Sequence, residues 1–259
     1  MDALIGKLTN LGYEFFGILL PGTLAVLMWS LLWSAAGDLV PLITLGAVPE
    51  LTLSEAMDAI GQAIEWSAFL SVLLMTAVAY FVGHLLTWVA RGGKPHEQVR
   101  KRDHLAGTLL LRPPKREPSY NLKLKPAWRW AGKRLLGEKL ALTWTLFYPA
   151  AKTYLLQRRI PSLVTTYQNK YTLHRSLAVA AALTTWGTLL VIVSGLLAQV
   201  IGAQAAGPHW FATGVLAVGS LGAVLGFSSS YLYNWTLWGD YLITETYVSL
   251  RVEEAHDES

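Results

Sequence analysis

The chain has 259 residues, 53% of them hydrophobic and 15% charged, with 21 Lys and Arg against 17 Asp and Glu and no cysteine. Ordinary soluble domains carry about 25% charged residues, so this composition favours a membrane-embedded chain over a large water-facing one. The lack of cysteine excludes disulfides, thiolate nucleophiles and Cys-based zinc sites.

A helix that crosses a hydrocarbon core of about 30 Å needs about 20 mostly apolar residues, and four stretches qualify. The first is predicted at residues 13–36. A cleaved leader ending at Ser34, Ala35 and Ala36 is disfavoured, because only Lys7 precedes the stretch as a cation and its long apolar part holds Pro21, Trp29 and Trp33. Glu14 opens this span as a carboxylate at the membrane edge, an anchor toward positive charge or toward the orphan amides of its own helix. Pro21 predicts a kink whose freed carbonyls another helix satisfies.

Residues 37–65 connect the first span to the second and hold five acids (Asp38, Glu50, Glu55, Asp58, Glu65) and no Lys or Arg. Thr52 and Glu55 have capping-box spacing, which predicts a helix running on into a second span at residues 66–90. His84 is the one histidine inside a predicted span, with Gly83 before it and Arg91 about 10 Å further along the helix. Ionisable groups inside a membrane are expensive and usually face protein or water. His84 therefore reads either as a proton relay or gate, or as a neutral imidazole bonded to a neighbouring helix.

Residues 91–175 hold 19 of the 21 Lys and Arg against four acids, a net charge of +15. Segments rich in Lys and Arg stay on the cytoplasmic side. Lys7 and Arg251 fall on the same side, so the expected topology is four spans with both termini cytoplasmic. Residues 92–120, rich in charge, Gly and Pro, read as an irregular surface stretch. Residues 127–144 show a helical pattern, with Trp128, Ala131, Leu135 and Leu142 on one side and Arg129, Lys133 and Arg134 opposite. This predicts a helix at the lipid headgroups, with Trp128, Trp130, Trp144, Tyr148 and Tyr154 as an interfacial belt. Arg129, Lys133, Arg134, Arg158 and Arg159 are the candidates for binding anionic lipid or a soluble partner. Nucleic acid is a weaker expectation, given the juxtamembrane position.

Pro161 and Ser162 signal the start of a helix that runs from Leu163 through Tyr167 and Tyr171 into a third span at residues 177–203. After a short turn, a fourth span is expected at residues 210–233. It is predicted to extend inward, because Trp235, Trp238, Tyr241 and Leu242 recur at helical spacing. Gly222 and Gly226 form GxxxG in the fourth span, and Gly219 with Ala223 adds a second small pair. Such pairs let helix backbones approach closely, within the chain or between copies. The fold class expected is an all-α membrane protein, two hairpins (residues 1–90 and 176–259) joined by a basic crossover (residues 91–175).

Little points to catalysis. Ser228, Ser229 and Ser230 lack the G-x-S-x-G setting, and His96, His104, His174, His209 and His256 are scattered without metal-site spacing. No metal and no cofactor is expected.

The runs Tyr13-Glu14-Phe15-Phe16-Gly17 with Pro21-Gly22, Gly83-His84-Leu85-Leu86, and Tyr171 with His174-Arg175-Ser176-Leu177 resemble bacterial four-span inner-membrane proteins. Some proteins of that type look like effectors or accessories in anti-phage defence. The resemblance implies a non-enzymatic inner-membrane effector, oligomeric, forming or gating a leak under control of its basic segment. The alternative is a membrane scaffold that recruits a soluble cytoplasmic partner.

Overall fold

The computed structural model describes residues 14–39, 68–91, 107–110, 120–138, 142–158, 162–200 and 207–257. Among these the chain is helical, with no strand. The expected capping box at Thr52 and Glu55 and most of the acidic connection lie outside the described residues.

Four helices are long and apolar enough to cross a membrane. The first, α1, spans Phe15–Ala36 and begins with a π-helical turn over Phe15–Leu19. In this turn the Leu20 amide bonds back to the Phe15 carbonyl, a wider register just ahead of Pro21, which has no amide to offer. Where a kink was expected at Pro21, the structure has a π turn just ahead of it. Gly37 ends α1 at φ +52°, a conformation that side chains disfavour.

Helix α2 spans Ala68–Arg91, in line with the expected second span. Two shorter helices follow, α3 at Lys125–Leu136 and α4 at Trp144–Gln157. The last two are far longer than a bilayer requires. Helix α5, Leu163–Val200, and helix α6, Trp210–Asp257, measure about 57 Å and about 72 Å at 1.5 Å per residue. Both expected inward extensions are therefore present as unbroken helix.

Helix α5 is the central post, touching α1, α2 and α6. In its most apolar stretch 61% of residues are buried, against 22–28% for the other three, and the run Leu177 to Ala182 is buried throughout. Small residues let the neighbours close in. Thr185 bonds Ser220 of α6 at 3.0 Å, and Thr87 of α2 meets Ser176 at 3.4 Å. At the far end the His209 amide and the Thr213 hydroxyl both bond the Ala35 carbonyl, joining the start of α6 to the end of α1. The outside of this body is apolar: Val72, Phe81, Trp88, Leu197, Phe211 and Val218 are all exposed. A surface of that kind belongs in lipid, since soluble monomers rarely expose apolar patches beyond a few hundred Å².

Beyond Tyr233 on α6 and before Tyr171 on α5 the packing changes to large aromatics. Trp144, Phe147, Trp238, Leu242 and Ile243 form a buried core, with Trp128, Tyr148, Tyr167, Tyr171 and Trp235 packed on it. The neighbours of α3 and α4 give their direction. The Asn121 amide, just before α3, bonds Asp240, while Trp130 meets Tyr247 and Arg251. Trp144 at the start of α4 meets Trp238, whereas Arg158 just past its end pairs with Glu253. Both helices therefore stand alongside α6 and run away from the spans. With the ends of α5 and α6 they make an upright bundle, in which α6 reaches about 36 Å past Tyr233 over its last 24 residues.

This corrects the expectation of a headgroup helix over residues 127–144. Helix α3 stops at Gly137, which has φ +81° and returns its amide to the Lys133 carbonyl, so Leu142 lies outside the helix and packs over Gly132. Trp128 and Leu135 are half-buried against α4 and α6, and Ala131 is fully buried. The five aromatics expected as an interfacial belt are core residues of the bundle or packed on it. The physical reason is that α4 and α6 cover the apolar face of α3.

Candidate functional site

The two polar candidates of the first hairpin come together around a third residue that sequence reasoning missed. The Tyr80 hydroxyl donates to Glu14 Oε2 at 2.6 Å, and the Tyr80 ring meets the His84 ring edge-to-face at 4.6 Å. Tyr80 and His84 are four residues apart and share one face of α2. That spacing was a readable signal, but the pairing with Glu14 spans 66 positions and needs the fold.

Two glycines set the crossing that brings these groups together. A Cβ on Gly22 would collide with the Ala79 carbonyl oxygen, and a Cβ on Gly83 with the Ile18 carbonyl oxygen. The backbones of α1 and α2 are thus in contact, Cα to carbonyl, an approach that only glycine permits. One turn from this crossing, Glu14 at the mouth of α1 reaches Tyr80. The cluster does not face the centre of the bundle. His84 and Tyr80 are exposed and Glu14 is half-buried, so all three open onto the outer surface of the four-span body.

The glycines of the fourth span behave in the opposite way to Gly22 and Gly83. Gly219, Gly222 and Gly226 are exposed, and a Cβ on any of them would meet nothing within 4 Å. Ala223 turns inward instead, against the cluster of Ala181, Ala182 and Val224. Among the described residues, then, the GxxxG pair packs against nothing in its own chain.

At the bundle end the acids of α6 organise the basic segment. The Glu245 carboxylate accepts from the Ser162 hydroxyl at 2.5 Å and from the Leu163 amide at 2.9 Å, while the Ser162 oxygen accepts from the Val164 amide at 3.1 Å, so the two residues close the start of α5 together. Asp240 accepts from the Asn121 amide at 2.7 Å, and burial pushes its carboxyl above the usual range while that bond pulls it down. Arg158 pairs with Glu253 at 2.8 Å. Burial also raises Tyr154, whose hydroxyl lies 2.9 Å from Ser249.

Arg129, Lys133 and Arg134 are exposed on α3. Lys133 approaches only Glu138, at 4.0 Å with both side chains mostly in solvent, a pair worth little. Because Trp130 sits level with Tyr247, these cations stand about 20 Å or more past Tyr233. Arg159 lies outside the described residues. Among the described residues no three His, Asp or Glu side chains gather as metal ligands. Comparison with protein-family models, curated proteins and solved structures finds no match. Function therefore has to be argued from the chemistry of these positions.

Proposed function

We propose that this chain is a non-enzymatic multi-pass protein of the bacterial inner membrane. Its spans are two hairpins joined by the basic crossover, with both termini and the upright bundle in the cytoplasm. Several copies assemble, and together they form or gate a leak under control of the bundle, in the manner of an anti-phage defence effector.

One observation carries this reading. The Glu14, Tyr80 and His84 cluster and the glycine face of α6 lie on the outside of a single chain, where lipid would otherwise cover them. Ionisable groups facing lipid are costly and glycines facing lipid serve no packing purpose. Contact between copies removes both problems and would put the polar cluster at a seam. The helical continuity of α5 and α6 offers a rigid route from bundle to seam.

The test is to record membrane potential in cells expressing the wild type, His84→Ala, and the double variant Gly222→Leu with Gly226→Leu, and to size each protein in detergent. The wild type is expected to depolarise cells and to run as an oligomer, with depolarisation lost in both variants. A wild-type protein that runs only as a 28.5 kDa monomer and leaves polarisation unchanged under every activating condition would sink the reading.

A second reading, a scaffold that holds a soluble partner and conducts nothing, is favoured by the height of Arg129, Lys133 and Arg134. The headgroup layer adds only about 5–8 Å to each side of the hydrocarbon, and the Debye length is about 8 Å at physiological salt. Cations about 20 Å out are placed for an acidic soluble surface. On α5, Lys170 and Arg175 lie nearer the headgroups. Recovery of a partner that is lost on charge reversal of the α3 cations, with polarisation unchanged throughout, would select the scaffold.

A further inference from the structure

Residues 107–110 sit in the basic segment by sequence, within the stretch expected to be irregular and on the surface, yet they do not lie at the bundle end. Residues 107–109 form a helical turn in which Thr108 is 1% exposed. Leu109 packs on the buried cluster of Ala181 and Ala182 of α5 and Val224 of α6, on which Met28 of α1 and Ala223 also pack. Its carbonyl accepts the indole N–H of Trp186 at 2.5 Å. Leu110 points outward, 64% exposed.

The depth of this contact follows from helix geometry. Trp186 lies 12 residues past His174, which sits beside Phe227 near the basic end, and 14 residues before Val200. At 1.5 Å per residue these are about 18 Å and about 21 Å, so the turn meets α5 near the middle of its crossing. The local sequence suits that depth: Leu105 to Leu111 carries no charge, between Asp103 and Arg112. The return is also feasible. Thr185 is level with Ser220, and Tyr120 lies next to Asn121, which bonds Asp240; the drop along α6 is 20 residues, or about 30 Å. Ten residues from Leu110 to Tyr120 can span about 35 Å.

We propose that residues 107–110 are a re-entrant plug, which carries the basic segment to mid-depth in the bilayer and seats it against α5 and α6. Irregular backbone at that depth is tolerated only when protein covers it and satisfies its polar groups. Helices α5 and α6 cover this turn, and Trp186 satisfies the Leu109 carbonyl. The bond also accounts for the position of Trp186, a residue type that otherwise collects at membrane interfaces. Withdrawing the plug would uncover Ala181, Ala182 and Val224, a way to gate the leak. That gating consequence rests on the leak reading, whereas the re-entrant seat does not.

The absence of native cysteine makes the test direct. Single variants Leu110→Cys, Val218→Cys and Arg129→Cys of the full chain are spin-labelled in phospholipid vesicles, and collision with oxygen is compared with collision with a water-soluble nickel chelate. Leu110 is expected to match Val218, which faces lipid at similar depth, with high oxygen and low nickel accessibility. A Leu110 label with the nickel accessibility of Arg129 overturns the proposal. Trp186→Phe, which removes the donor, is expected to raise labelling of Thr108→Cys by an impermeant maleimide about threefold or more, with Val218 unchanged as the control for folding. Unchanged labelling overturns the pin. If Leu110 maps to mid-membrane and Trp186→Phe frees the turn while polarisation stays unchanged, the plug stands and the leak reading fails.

Discussion

Helices α5 and α6 pass through two regions of the protein without a break, and the residues they use to pack change completely between them. Within the crossing part the contacts are Ala181, Ala182 and Thr185 on one helix and Ser220 and Val224 on the other. In the bundle they are Tyr167 stacked on Tyr241 at 5.0 Å, and Tyr171 against Trp235 at 4.7 Å and Trp238 at 5.5 Å. The contrast follows from solvent. In lipid no hydrophobic drive brings helices together, so stability comes from close approach and small hydroxyl bonds, which favours small side chains. In water each buried aromatic removes 150–250 Å² from solvent, so large side chains gain the most. The change in residue size marks where the bilayer ends.

The sharpest way to break this comparison is to remove one aromatic from the bundle. Trp238 is 3% exposed and touches the rings of Trp144, Tyr148, Tyr171 and Trp235. Trp238→Ala is expected to cost about 3–5 kcal/mol and to lower the melting temperature of the bundle in thermal circular dichroism. The spans should stay inserted, with their protection from external protease unchanged. A variant that melts with the wild type would show that the bundle is not held by this core.

The next effect, smaller, lies at the crossing of α1 and α2. Gly83→Ala places a methyl against the Ile18 carbonyl, where backbone has to move, and a cost of about 1–3 kcal/mol is expected. Gly222→Ala is the matched control. Its Cβ meets nothing, so in an isolated chain the substitution should be neutral or stabilising by up to about 1 kcal/mol through helix propensity. Unfolding both variants in detergent with added SDS measures the pair. If Gly222→Ala destabilises as much as Gly83→Ala, the α6 glycine face is covered by another copy under those conditions.

Sequence reading reached different depths in the two regions. The four crossings were legible because a bilayer sets a minimum apolar length, and the runs at α1 and α2 begin and end within two residues of expectation. The inward extensions were legible through the 3.6-residue recurrence of Trp235, Trp238 and Tyr241, and the start of α5 through Ser162. What failed was direction. An amphipathic helix such as α3 has one apolar face, and Trp128, Ala131 and Leu135 look the same whether that face meets lipid or α4 and α6. The helix at Trp144–Gln157 carried no distinct signal, with Pro149 inside it. The glycines that matter most within one chain, Gly22 and Gly83, are 61 positions apart and form no local motif, whereas the visible motif at Gly222 and Gly226 packs against nothing among the described residues. Residues 107–110 were hidden by their neighbours, because the charge, Gly and Pro around them matched a surface stretch.

The smallest effect on folding is expected where the charge is greatest. Reversal of Arg129, Lys133 and Arg134 to Glu should leave the melting temperature unresolved from wild type, because these side chains are exposed and Lys133 has only the distant Glu138. Glu245→Ala is the informative contrast at the same end of the molecule. It removes the two bonds that Glu245 accepts at the start of α5 and leaves the Val164 amide on Ser162, and a lost cap costs about 0.5–2 kcal/mol. The two variants change charge in opposite senses, so an effect of overall charge would move their stabilities in opposite directions. An effect of local bonding moves only Glu245→Ala. If the triple reversal alone destabilises, the α3 cations hold the bundle together through contacts outside the described residues, and they are then not free to meet a partner.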